Sequence, residues 1–231
     1  MPAIVALTHE NRPRFPGKVG PMSFDHNHHY HPTLLALLPP GPGRALDVGC
    51  GEGRFARRLA AAGMTVEGVD TSEAMLRRAS AAGSPGPGVV EYRQADISTA
   101  ELESGAYAFI SCLASLHHVP FETVTKLKAA LAPGGVLAVL GCARPSRPGD
   151  FLRELVAVPA NLGARLVTAA AERLNGGPDP VGRAPVRMDF PPLDEVRRDA
   201  ARLLPGSTVR PLVFWRYLLA YRQPADHPAV G

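Results

Sequence analysis

The stretch Ala45-Leu46-Asp47-Val48-Gly49-Cys50-Gly51-Glu52-Gly53 decides how this chain is read. Residues 44–48 are a short apolar strand carrying one acid, three alternating glycines break it, and 54–62 resumes with helical spacing. Glycine lets the backbone adopt positive φ and approach a ligand with no Cβ in the way. The first turn of the following helix leaves backbone N–H groups free to meet that ligand. Gly63 is the expected stop of this helix.

Outward from this turn the chain alternates strand and helix. Strands are expected at 65–69, 89–93, 107–113 and 136–140. Helices are expected at 72–82, with Thr71 or Ser72 as N-cap, and at 121–131, stopped by Ala132-Pro133-Gly134-Gly135. Such alternation implies a mainly parallel sheet covered on both faces, with right-handed crossovers. Residues 144–192 leave the rhythm: 150–174 is a long helical pattern with a kink expected at Pro159, and 175–192 is rich in Gly and Pro. A helix at 193–204 and two apolar runs, 208–214 and 215–222, follow. Upstream, residues 1–24 form a polar arm, 26–31 a histidine-rich patch, and 32–38 a short helix ended by Pro39-Pro40-Gly41. The organisation expected is an arm or lid over 1–40 and one domain over 41–231, with a helical insertion at 144–192.

Two acids stand where strands end. Asp70 closes Val66-Glu67-Gly68-Val69-Asp70, where a carboxylate can accept from both hydroxyls of a ribose or merely cap the next helix. Asp96 follows the third strand in Gln94-Ala95-Asp96-Ile97. A dinucleotide fingerprint requires G-x-G-x-x-G, but the third glycine falls one position early, at Gly53, and Arg54 takes its place. An acid followed by G-x-G-x-G instead resembles the first motif of the class I S-adenosylmethionine (SAM)-dependent methyltransferases. The resemblance is close over residues 44–141, and the tail 209–223 fits that family's final antiparallel hairpin. It implies a Rossmann-like α/β fold, a seven-stranded sheet mainly parallel with an antiparallel C-terminal strand, and helices on both faces. It implies SAM as cofactor, bound by Asp47, Gly49, Cys50, Gly51, Gly53, Asp70, Thr71, Met75, Asp96, Ile97 and Leu113. Asp96 would receive the adenine amine, Ile97 would pack on one face of the ring, and Met75 would close the other or pack in the core. Tyr30 or His29, just ahead of the first strand, would cover cofactor or acceptor as part of a lid.

The family's acceptor faces the segment after the fourth strand, here Ser111-Cys112-Leu113-Ala114-Ser115-Leu116-His117-His118-Val119-Pro120. Asn/Asp-Pro-Pro-aromatic, which marks enzymes acting on nucleobase or glutamine amides, is absent. No acid lies between Ala106 and Phe121, as a metal-assisted catechol enzyme would need. The run Leu116-His117-His118-Val119-Pro120 resembles the small-molecule branch that includes quinone-biosynthesis methyltransferases. His117 or His118 is a candidate general base, or a ring that packs the turn without moving a proton. The insertion, with Leu152, Leu155, Val156, Leu162, Leu166 and Val167 on one helical face, would form a pocket wall, a dimer interface or both.

Composition restricts the partners. The chain has 231 residues, 45% hydrophobic and 20% charged, as a globular domain does, and no apolar run reaches the ~18 residues of a membrane span. No secretory signal opens it, so a cytoplasmic enzyme is expected. The net charge of +4 is spread as arginine pairs (Arg57-Arg58, Arg77-Arg78, Arg197-Arg198) expected on solvated helix faces. With aromatics at only 6%, this argues against a nucleic-acid partner. Three cysteines without a C-x-x-C unit point to no disulfide framework, and the histidine patch has only Asp25 as an acidic neighbour, so no metal is expected. The function expected is SAM-dependent transfer of a methyl group to nitrogen or oxygen of a small molecule, in secondary metabolism, by a monomer or homodimer. The alternatives are RNA or protein methylation, and a SAM-fold protein repurposed for a non-methylating role.

Overall fold

The computed structural model describes residues 26–83, 86–151, 190–213 and 215–225. The polar arm 1–24 and most of the insertion, with all six apolar residues of its expected helix, lie outside the described residues.

Seven strands form one sheet: β1 (Arg44–Val48), β2 (Thr65–Asp70), β3 (Val90–Gln94), β4 (Tyr107–Leu113), β5 (Leu131–Cys142), β6 (Thr208–Pro211) and β7 (Arg216–Arg222). Their order is β3-β2-β1-β4-β5-β7-β6. Neighbours from β3 to β5 are parallel, and β7 is antiparallel to both β5 and β6, so β7 alone runs against the other six. The seven-stranded, mainly parallel Rossmann-like α/β sheet expected from the resemblance is the sheet observed. The order reverses at β1, which has β2 on one side and β4 on the other. In open α/β sheets, ligands bind in the crevice beyond the carboxyl ends of the strands at such a switch point.

The core lies on both faces. Along β5, Val136, Ala138 and Leu140 join one cluster with Phe55, Ala56 and Leu59, while Leu137 and Val139 join another with Val124, Leu127, Leu193 and Val196. This period of two on a strand buried on both sides explains why β5 reads as an unbroken apolar run. The first cluster is covered by α2 (His31–Leu35), preceded by the single turn α1 (His26–His29), and by α3 (Arg54–Ala61). The second is covered by α5 (Thr123–Ala130) and α6 (Leu193–Leu203). Helix α4 (Glu73–Ala81) follows β2, and its N-cap Ser72 accepts the Met75 amide through Oγ at 3.4 Å.

Three boundaries differ from expectation by three residues or more. Ala132-Pro133-Gly134-Gly135, expected as a turn, lies inside β5: Leu131 pairs with Tyr107, and the register shifts before Phe109 pairs with Val136. The shift absorbs the proline and Gly134, whose φ is +75°, as an irregularity within the ladder. Gln223 fixes this segment, its N–H meeting the Gly135 carbonyl at 2.8 Å and its carbonyl accepting from Gly134 at 3.1 Å. Helix α2 ends at Leu35, three residues short of expectation. β6 ends at Pro211, because the chain turns back once the Leu212 amide reaches the Arg216 carbonyl at 2.8 Å.

The two ends of the insertion are tied together. Arg144 bonds the Pro191 carbonyl through its N–H and the Leu193 N–H through its carbonyl, both at 2.9 Å. Asp150, 6% exposed, takes the Arg197 guanidinium at 3.2 Å and the amides of Ser146 and Arg147. Arg197 therefore does not line a solvated face as expected; it anchors the start of the insertion to α6. No helix among the described residues is long and apolar enough to cross a membrane.

Candidate cofactor and acceptor site

The glycine loop wraps the carboxyl end of β1 and is held from several sides. The amides of Gly49 and Cys50 donate to the Val69 carbonyl at 2.7 and 3.0 Å, tying the loop to β2. Gly49 has φ +67°, and a Cβ there would lie 2.3 Å from Cβ of Ser115, whose hydroxyl donates to the Val48 carbonyl at 2.6 Å. Behind Gly53 stands Tyr92, whose hydroxyl fills the space of a side chain. Gly51 also has positive φ but meets nothing within 4 Å, so its outer side is open to a ligand. Arg57 donates to the Glu52 carbonyl at 2.7 Å, a role in holding the loop that its expected place on a solvated face did not suggest.

The three acids occupy three different environments. Asp70 accepts from Gly51 N at 2.8 Å through Oδ2 and from Ser72 N at 2.8 Å through Oδ1, so one carboxylate joins the loop to the start of α4. Each oxygen keeps a lone pair, enough for two hydroxyl donors. Asp47 lies beneath the loop, 2% exposed, and Ser111 Oγ donates to it at 2.7 Å. Burial, with the nearby Asp70 charge, pushes its carboxyl up to about 7, against the Ser111 hydrogen bond and a backbone bond from Ala56. Asp96 is exposed and accepts from Ser98 N and Oγ at 2.8 and 2.7 Å, which hold its carboxyl below the usual range.

The loop after β3 is fixed from α5. Lys126 Nζ donates to the carbonyls of Ile97, Ser98 and Ala100 at 3.1, 3.0 and 2.6 Å, using all three of its protons. Ile97, 6% exposed, packs into the core beneath Asp96. Met75 is half-buried and belongs to neither core cluster. Thr71 is exposed, its carbonyl held by Gln94 Nε2 at 3.0 Å, and Cys50 is half-buried.

Beyond the end of β4 the chain turns sharply at Ala114, a non-glycine residue at φ +52° whose amide donates to the Leu140 carbonyl at 2.7 Å. Strained backbone of this kind collects at functional sites. Half-buried Leu113 precedes it, and a 3₁₀ turn, Leu116–His118, follows. His118 is exposed; the His117 ring packs against it at 4.1 Å, tilted by 43°, and meets Phe190 edge-on at 5.5 Å. His117 Nδ1 is buried with no hydrogen-bond partner. Burial, with His118 and Arg216 nearby, pulls the His117 imidazole down to about 4, so it is neutral at pH 7.

Tyr30 is 6% exposed, and its hydroxyl donates to the Val213 carbonyl at 3.1 Å, docking α1 and α2 against the β6–β7 turn. His29 packs edge-on against Tyr30 at 4.9 Å, and His31 meets Phe55 in the first turn of α3 at 4.9 Å. Among the described residues, no three His, Cys, Asp or Glu side chains are grouped to hold a metal.

The structure thus brings Asp47, Gly49, Gly51, Gly53 and Asp70 into one loop assembly at the switch point. Asp96 and Ile97 sit at the next strand end, and Leu113, His117 and His118 on the other side of β1. Ser115, Tyr92 and Arg57 hold the glycine loop, and Lys126 the loop after β3, without having stood out in the sequence. No local motif marks them, because each reaches its loop from a different element.

Comparison with known proteins agrees with this geometry. The family described as "Methyltransferase domain" matches residues 45–135. An uncharacterized methyltransferase of Mycobacterium tuberculosis is 33% identical over 201 residues, 86% of this chain and 96% of that protein. A ubiquinone biosynthesis O-methyltransferase of Marinobacter nauticus is 36% identical over 118 residues, 49% of each chain. Among solved structures, a protein of Pyrococcus horikoshii superposes with a TM-score of 0.58 at 21% identity, covering 85% of this chain and 88% of that one. A SAM-dependent methyltransferase of Methanosarcina mazei gives 0.55 at 18% identity, covering 83% and 97%. With the glycine loop, the acid at the end of β2 and the reversed seventh strand all in place, this chain belongs to the class I SAM-dependent methyltransferases and is an enzyme that uses SAM as its methyl donor.

Proposed function

We propose that the methyl acceptor is a small molecule, methylated on oxygen or nitrogen, and that it is received over the carboxyl ends of β4 and β5. The observation that carries this is the segment after β4: a strained turn at Ala114, then a neutral, half-buried His117 against Phe190, with no carboxylate between Ala106 and Phe121. The likeness of about half the chain to a ubiquinone biosynthesis O-methyltransferase supports an oxygen acceptor.

SAM supplies a methyl group on a sulfonium, which leaves by in-line displacement. The residues present fit it. The open side of Gly51 admits the methionine portion beside Gly49, Cys50 and Gly53, and Asp70 is held ready for ribose hydroxyls. In this reading Asp96 takes the adenine amine, Ile97 and Met75 flank the ring, and Thr71 and Leu113 border the site. Asp47 supports the loop from below. Tyr30 and His29 belong to a cover over the site, formed by the segment ahead of β1.

Catalysis here is chiefly alignment and exclusion of water. An imidazole held near 4 is a weak base, poorly matched to a phenol or alcohol. Neutral His117 therefore acts by accepting a hydrogen bond and orienting the nucleophile, and the proton passes to bulk water once the site opens for product release.

A methyl-transfer screen against small phenols, amines and carboxylic acids, read by mass, tests the reading. Turnover of at least one class, with His117→Ala raising KM more than it lowers kcat, is expected. Turnover on RNA or protein substrates with none on the panel would overturn it.

A further inference from the structure

Strand β7 opens with Arg216, whose register partner is Cys142 at the carboxyl end of β5. This puts the arginine at the same edge of the sheet as the turn after β4. Its Nη1 donates to Cys142 Sγ, and its Nε is buried with no acceptor. No carboxylate among the described residues lies within ion-pair distance of it. Arg197, by contrast, has both Asp150 and Asp194. A guanidinium offers five donors in a planar fork suited to carboxylate, and leaving it half-buried without an anion is costly. The thiol cannot supply the charge, because burial pushes Cys142 up and keeps it protonated.

A second orphan lies beside it. His117 Nδ1 is buried without a partner, and the charge of Arg216 is among the influences that keep His117 neutral. Phe190 meets the His117 ring, and Tyr217, the next residue of β7, lies over Gly141, where a Cβ would fall 2.2 Å from its ring. A guanidinium with no carboxylate beside it, a neutral imidazole without a partner at Nδ1 and the Phe190 ring therefore come together where the acceptor is placed.

We propose that Arg216 is the acceptor-recognition residue, and that the acceptor is an organic carboxylate whose anionic oxygens complete the guanidinium's hydrogen bonds. The inference rests on the small-molecule methyl-transfer reading above and narrows it to acids. The methylated atom is a separate hydroxyl or amine of the same molecule, because esterifying the carboxylate would remove the charge that binds it.

Binding tests this without turnover. Benzoate, phenylacetate and hexanoate, each paired with its amide, are titrated by NMR into the full chain saturated with S-adenosylhomocysteine. At least one acid is expected to bind tenfold or more tightly than its amide. Arg216→Met should abolish that preference without changing S-adenosylhomocysteine affinity, and Arg216→Lys, which keeps charge but not the fork, should restore part of it. The proposal is overturned if no acid outbinds its amide, or if Arg216→Met keeps the preference. If Arg216→Met does not fold, Arg216→Lys decides alone: an acid preference undiminished from wild type overturns it. Failure of the wild-type chain to bind S-adenosylhomocysteine would instead remove the methyltransferase reading, and the inference with it. An acid preference lost in Arg216→Met, with RNA or protein methylated and no small molecule, would leave an anion site there but overturn its role in acceptor recognition.

Discussion

Replacing Gly49 with alanine tests how the cofactor loop is packed. An alanine at φ +67° costs about 1–2 kcal/mol in backbone strain alone. The added Cβ would also sit 2.3 Å from Ser115 Cβ, far inside the ~3.5–4.0 Å at which carbons rest. No rotamer relieves this, since a Cβ moves only with its backbone. Either the loop or the turn at Ala114–Ser115 must shift, at the roughly 1–3 kcal/mol typical of overpacking. The shift breaks the Ser115–Val48 bond of 2.6 Å, worth about 1 kcal/mol. Together these predict a loss of about 3–6 kcal/mol in urea unfolding. In Gly49→Ala/Ser115→Gly the overlap is gone, so the double variant should be more stable than the sum of the single losses by about 1–3 kcal/mol. A Gly49→Ala protein within about 0.5 kcal/mol of wild type, or strict additivity with Ser115→Gly, would refute the packing argument.

Three further outcomes follow from the same geometry. Asp70→Asn keeps one oxygen but puts an amide where Gly51 N and a ribose hydroxyl need acceptors; SAM affinity by calorimetry should fall at least about tenfold, a hydrogen bond to a charged group being worth about 1.5–3 kcal/mol. Lys126→Met frees three carbonyls of the loop below Asp96 and should weaken SAM binding about tenfold while lowering Tm by several degrees; an unchanged affinity would separate Lys126 from the site. Asp47, with its carboxyl raised from 3.8 to about 7, binds its proton more tightly folded than unfolded. Its contribution is therefore greatest below about pH 4 and declines as pH rises to 7, by at most about 1.4 kcal/mol per pH unit; Asp47→Asn should flatten that slope in urea titrations across the range.

Much of this was legible in the sequence, for local reasons. β1 and β4 appear at their expected bounds because each is a buried apolar run with glycine or polar residues at its ends. The glycine loop and the acids at the ends of β2 and β3 are read from spacing within a few residues. What depends on distant partners was not legible. The start of β5 was hidden by Pro133 and two glycines that signal a turn, and only pairing with Tyr107 and Gln223 makes them part of the sheet. Lys126 and Arg216 carry no motif; one serves a loop 26–29 residues away, and the other meets a cysteine 74 residues back. Tyr30 is an instance of the same limit. Its place just ahead of the first strand gives no sign that its hydroxyl meets the carbonyl of Val213, 183 residues on.

The central claim is that this loop and its acids bind SAM for methyl transfer. Isothermal calorimetry of the full chain with SAM, S-adenosylhomocysteine and NAD tests it most directly. Saturable binding of both sulfur nucleosides at one site per chain, lost in Asp70→Ala, with no binding of NAD, is the predicted result. Binding of NAD with neither sulfur nucleoside bound would contradict it.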